Sequence, residues 1–160
     1  MAMNQKTLSK SKTIEVVTLQ MKRNDPILIC EEPINNKDTA IKLLQKKIAS
    51  SDREIFVVLC LDTKGYITTY HEAHIGTLNQ SLIHPREIFK SAILSNASSI
   101  IVGHNHPSGD VTPSNSDLKV TKTLVETGKI LDIAVLDHII VSVKDAISLR
   151  EKYDYIFRGN

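Results

Sequence analysis

Hydrophobic positions along the chain repeat every second residue in some stretches and every third or fourth in others, and this change of period divides it into strands and helices. Residues 14–19 (Ile-Glu-Val-Val-Thr-Leu) and 27–30 (Ile-Leu-Ile-Cys) are short and rich in apolar and β-branched side chains, which predicts two strands. Ala40, Ile41, Leu43, Leu44 and Ile48 recur at helical spacing and predict a helix over 38–48, capped near Asn36. Two strands, 54–61 and 66–75, follow around a Lys64-Gly65 turn, and Pro85 opens a helix reaching about residue 96. Ile100-Ile101-Val102 has the composition of a buried strand. Beyond it, Pro113-Ser114, then Asp117 and the apolar Leu118, Val120, Leu124 and Val125, predict a helix ending at Gly128. Residues 133–143 form one long apolar strand, and a short segment at 147–149 and a turn to Phe157 finish the chain. Strands interspersed with helices and no linker between them predict a single-domain, layered α/β fold.

Composition narrows the picture. The chain has 160 residues, 41% of them hydrophobic, enough for one ordinary core. Residues 1–12, with Lys6, Lys10 and Lys12, form a basic, polar tail ahead of a domain over 13–160. The 20 basic and 18 acidic residues are dispersed and give a net charge of +2, so there is no general electrostatic case for a nucleic acid or a membrane surface. Four Tyr, three Phe and no Trp offer little for base stacking. No apolar run is long enough to cross a bilayer and the N-terminus lacks the apolar stretch of a signal peptide, so the expected location is cytoplasmic. Cys30 and Cys60 lie in apolar strand-like runs without CxxC spacing, which predicts buried free thiols.

The chemistry concentrates between His104 and Asp117, where the chain reads His-Asn-His-Pro-Ser-Gly-Asp-Val-Thr-Pro-Ser-Asn-Ser-Asp. Period-two alternation at a strand end points His104 and His106 to the same side, and Asp117 in the first turn of the following helix faces back toward the loop. Two neutral imidazoles and a carboxylate form a three-ligand set suited to one Zn²⁺ per chain, with a fourth position left for water. The plainer readings are a helix cap for Ser114-x-x-Asp117 and a satisfied strand-end polar residue for each histidine. The cap and the chemistry are compatible with each other.

The spacing His104, His106, Ser114, Asp117 resembles the metalloprotease motif of JAMM/MPN-domain proteins, and Gly-His-Asn-His-Pro-Ser-Gly-Asp resembles their bacterial RadC branch. Asp52-Arg53-Glu54-Ile55-Phe56, Gly76-Thr77-Leu78, His84-Pro85-Arg86-Glu87-Ile88-Phe89 and Leu136-Asp137-His138-Ile139-Ile140 are similar to further RadC phrases, in the same order, so the resemblance spans roughly residues 13 to 157. It implies an MPN/JAB-type fold, a layered α/β/α arrangement with a mixed sheet related to cytidine deaminases, although the His-x-Glu and Pro-Cys-x-x-Cys that deamination needs are not present. The helix-hairpin-helix region of longer RadC proteins has no counterpart in this sequence, so weak or no DNA binding is expected.

A catalytic base is not legible from local spacing. Glu54, Glu72 and Glu87 are comparable candidates by residue type and setting. The resemblance selects Glu54, and it implies amide or isopeptide hydrolysis of a peptide or protein substrate, with Ser114 donating to the oxyanion. Two other classes stay open at this stage: an accessory protein of DNA repair or a mobile element, and a zinc-bearing interaction module without turnover. His71-Glu72-Ala73-His74 imitates a zincin motif, but with histidines three apart on a strand, where alternation sends them to opposite faces. The adjacent His-Asn-His letters are not the dispersed motif of HNH nucleases. His138 is expected to be buried and hydrogen-bonded, with contact to a zinc ligand as the alternative.

Overall fold

A computed structural model describes residues 15–22, 24, 33–34, 37–76 and 83–158. Their elements are α1 (Lys37–Ile48), β1 (Ile55–Leu61), β2 (Ile67–Ile75), α2 (Pro85–Leu94), β3 (Ser99–Asn105), α3 (Asn115–Leu131), β4 (Ala134–Val141), β5 (Ala146–Ser148), α4 (Leu149–Lys152) and α5 (Tyr155–Arg158). The five strands form one sheet in the order β2-β1-β3-β4-β5. Only the β3–β4 pair is parallel, with α3 as its crossover.

The continuous apolar runs of β1 and β3 follow from burial on both faces. Phe56, Val58 and Cys60 of β1 join α2 and α3 residues such as Phe89 and Leu124 in one core, while Val57, Leu59 and Leu61 join Leu43, Leu44 and Ile48 of α1 in the other. The result is the expected three-layer α/β/α arrangement with a mixed sheet. No helix among the described residues is long and apolar enough to cross a membrane. Cys60 is a buried free thiol, as its setting implied, and Cys30 lies outside the described residues.

Several boundaries differ from the sequence expectations. Residues 15–19 form no strand, and Val16, Val17 and Leu19 are 97%, 70% and 78% exposed. β-branched composition favours extended backbone, but a strand also needs a neighbour's backbone to pair with, and none among the described residues pairs with this segment. The tail 1–12, the strand expected at 27–30 and the cap near Asn36 lie outside the described residues. β3 is longer than its apolar centre and carries His104 within the strand. α3 runs through Gly128 and ends at Leu131, with Asp132 in the left-handed region at φ 56°.

Gly128 is therefore a packing residue and not a helix stop. A Cβ there would lie 2.5 Å from the Ile133 carbonyl oxygen and 3.2 Å from Val135 Cγ2. The same turn is closed by Ile133 N–H donating to Gly128 O at 2.9 Å. Helix propensity alone makes Ala better than Gly by about 1 kcal/mol, whereas backbone overlap costs about 1–3 kcal/mol. Gly128→Ala is expected to lower stability in urea unfolding by about 1–2 kcal/mol. A gain in stability would contradict the close helix–strand approach.

Candidate metal centre

Three elements meet at the C-terminal end of β3. The strand delivers His104, fully buried, and the next turn delivers His106, whose backbone N–H still bonds Val141 O of β4 at 3.0 Å. α3 delivers Asp117. Ser114 caps this helix: its Oγ accepts from Asp117 N–H at 3.2 Å, while its own N–H and hydroxyl donate to Asp117 Oδ2 at 2.7 and 2.6 Å. The capping box thus occupies Oδ2 and leaves Oδ1 as the oxygen that faces His104.

One nitrogen of each imidazole and one oxygen of Asp117 lie within 4.8 Å of one another, the only such three-residue group among the described residues. His104 Nε2 is 3.0 Å from His106 Nε2 and 3.4 Å from Asp117 Oδ1, and His106 Nε2 is 3.8 Å from Asp117 Oδ2. His106 Nδ1 lies 2.6 Å from the Asp110 carbonyl oxygen. A carbonyl only accepts, so in the neutral ring Nδ1 carries the proton and Nε2 presents a lone pair to the site. Two imidazole nitrogens and one carboxylate oxygen, with the His106 side chain still 14% exposed, fit a zinc-type ion.

The His104 ring stacks at 10° on Phe56 of β1, with 5.9 Å between centroids. Burial, and then the charge of His106, hold its pKa down at about 3. The buried His138, expected to be hydrogen-bonded, has its Nε2 2.8 Å from His104 Nδ1. Burial and the neighbouring His104 also keep His138 well below the usual imidazole range.

The three acids separate clearly in space. Glu87 sits on α2 and pairs with Lys90 at 2.6 Å, which holds its carboxyl below the ordinary range. Glu72 accepts from the Tyr70 hydroxyl at 2.9 Å and lies opposite Val57, on the α1 side of the sheet. Glu54 immediately precedes β1, where Phe56 pairs with His104 and Val57 with Gly103. Continuing that register by two places sets Glu54 opposite His106, on the face that carries Phe56 and His104.

Sequence reasoning missed the residue that holds Glu54 there. Asn105, between the two histidines, points to the other side of the strand and is fully buried. Its Oδ1 accepts from Ile55 N–H at 2.7 Å, and its Nδ2 donates to Arg53 O at 2.9 Å and Ser51 O at 3.4 Å. The amide therefore grips the backbone on both sides of Glu54. A buried amide at a period-two position was the available signal. The zincin-like decoy needs a correction as well: a register shift at Ala73 sets His71 opposite Val58 and His74 opposite Phe56, so both face the same core side. Among the described residues no third ligand joins them.

A mixed α/β sheet whose central strand ends in His-x-His, with a carboxylate on the first turn of the next helix, defines a JAB-type domain with a metal-competent site. The chain belongs to the RadC-like JAB domain family, whose pattern it matches over residues 34–154. It is 49% identical over 118 residues to a UPF0758 protein of Finegoldia magna, a match covering 74% of this chain and 53% of the relative. A UPF0758 protein of Caldanaerobacter subterraneus subsp. tengcongensis is 48% identical over 124 residues, 78% of this chain and 53% of its own length. One from Methanosarcina barkeri is 47% identical over 110 residues, 69% of this chain and 48% of its own. The chain spans about half the length of these curated relatives.

Two outcomes follow from this geometry. Asn105→Ala leaves the Ile55 N–H without its acceptor and is expected to cost about 2–3 kcal/mol in urea unfolding. A loss near zero would show that the grip on Arg53 to Ile55 is immaterial. Because the folded pKa of His104 is depressed from 6.5 to about 3, the unfolded chain binds its proton first. That contribution to stability is complete above the unfolded value and is lost as pH falls toward the folded one. Metal-free protein is therefore expected to lose stability as pH falls from about 6.5 toward about 3, by up to ~1.4 kcal/mol per pH unit for His104. A flat profile over that range would mean that His104 is not buried as a neutral ring.

Proposed function

We propose that this domain is a zinc-dependent hydrolase that cleaves a peptide or isopeptide bond. The observation that carries the reading is the convergence of His104, His106 and Asp117 within 4.8 Å at the end of β3, and it is supported by the place of Glu54 two residues ahead of the Phe56–His104 pair. His104 Nε2, His106 Nε2 and Asp117 Oδ1 would hold the ion. When bound, zinc lowers the pKa of a coordinated water toward ~7 and polarises a substrate carbonyl.

The chain's own residues supply the rest. Glu54 takes the proton from the attacking water and returns it to the leaving amine, so one proton passes from oxygen to nitrogen. Ser114, exposed at the rim, donates to the developing oxyanion once its proton turns away from Asp117 Oδ2. Phe56 packs flat against His104 and fixes the plane of that ligand. A peptide is favoured over a nucleic acid as substrate because 20 basic and 18 acidic residues leave a net charge of only +2.

Metal analysis of protein purified without added metal is expected to find one zinc per chain and its loss in the His104→Ala/His106→Ala double variant. Protein that folds but takes up no zinc would overturn the reading. Against a panel of quenched peptides and lysine-linked isopeptides, Glu54→Gln is expected to keep zinc and fold while hydrolysis falls by about 10²- to 10⁴-fold. If Glu87→Gln removed activity and Glu54→Gln did not, the base would belong on α2 instead.

A further inference from the structure

His138 and Thr121 hold no metal in the reading above, yet they determine what His104 can do, and the inference about them rests on that reading. Thr121 Oγ1 lies 2.6 Å from the Asp117 carbonyl oxygen and 2.6 Å from His138 Nδ1. A hydroxyl has one proton and a carbonyl oxygen has none, so Thr121 donates to Asp117 O and must accept from His138 Nδ1–H. His138 is 0% exposed and has no carboxylate on either nitrogen, so it is a neutral ring with that single proton. Its Nε2 therefore accepts, and the donor facing it at 2.8 Å is His104 Nδ1–H. The proton on His104 is thereby placed at Nδ1, and Nε2 is left bare.

We propose that Thr121 and His138 form a positioning relay that fixes His104 as the Nδ1–H tautomer and so makes Nε2 a metal donor. The alternative tautomer would defeat the site. With its proton on Nε2, His104 would donate to the His106 Nε2 lone pair 3.0 Å away, and the two rings would satisfy each other with no ion. With the relay in place, two lone pairs and a carboxylate oxygen face one another, a repulsive arrangement that a cation relieves. The relay begins on the backbone of Asp117, one helical turn before Thr121. Seating the first turn of α3 thus also sets the chemistry of the strand ligand.

The test uses the 160-residue chain, first free of metal and then titrated with Zn²⁺ against a competing chelator. Long-range ¹H–¹⁵N correlation of the imidazoles is expected to show His104 protonated at Nδ1 in the metal-free wild type. Thr121→Val, which removes the hydroxyl at nearly constant shape, is expected to shift His104 toward the Nε2–H tautomer and weaken zinc binding about 10- to 100-fold. Thr121→Ser restores the hydroxyl and is expected to restore both readouts, which a purely structural role would not require. An Nε2–H signal for His104 in the wild type, or a Thr121→Val variant with unchanged tautomer and affinity, would overturn the relay. Wild type that shows the Nδ1–H tautomer but takes up no zinc would leave the relay standing and remove the metal reading.

Discussion

The 3.0 Å approach of His104 Nε2 to His106 Nε2 at the end of β3 is the contact around which the surrounding structure is organised. In an unspecialised core, two imidazoles and a carboxylate so close together would rotate toward solvent or share protons. Here the atoms on their far sides are engaged. His106 Nδ1 is held by the Asp110 carbonyl, His104 Nδ1 by His138, and Asp117 Oδ2 by the backbone and hydroxyl of Ser114. What is left facing inward is the donor set, aimed by bonds made elsewhere.

The layered fold supplies those outer bonds at little cost because they coincide with ordinary structural needs. The capping box that orients Asp117 also starts α3, and the Thr121 bond to Asp117 O is a common side-chain contact within a helix. Parallel pairing of β3 with β4 brings His138, opposite Val102, to the same sheet face as His104. On the other side of β3, Gly103 lets Leu44 of α1 close onto the strand, since a Cβ there would lie 2.5 Å from Leu44 Cδ1. Both layers are therefore seated against the strand that carries the histidines. Stability and site geometry share the same contacts.

Much of this was legible in the sequence because period and spacing are local properties. The alternation around residues 100–106 and the interval to Asp117 place the three ligand-type side chains together without any knowledge of the sheet. Relations across the sheet were not legible. Residues 15–19 have the composition of a strand, but a partner cannot be read from one segment's letters. Gly128 looked like a helix stop because the clash it avoids is with Ile133, in the loop after the helix. The bulge at Ala73, which turns His71 and His74 to one face, exists only in the pairing of β2 with β1. Thr121 did leave a signal: with Asp117, Val120, Leu124 and Val125 it completes the buried stripe of α3, and a hydroxyl in such a stripe needs a partner.

The central claim is that β3 and α3 build a donor set of two imidazole nitrogens and one carboxylate oxygen for a single ion. X-ray absorption at the zinc edge, on protein loaded with one equivalent, tests it most directly. The account requires a first shell of nitrogen and oxygen at about 2.0–2.1 Å with the outer-ring scattering of two imidazoles and no sulfur. A sulfur shell near 2.3 Å, or scattering from fewer than two imidazoles, would place the ion elsewhere and contradict the account.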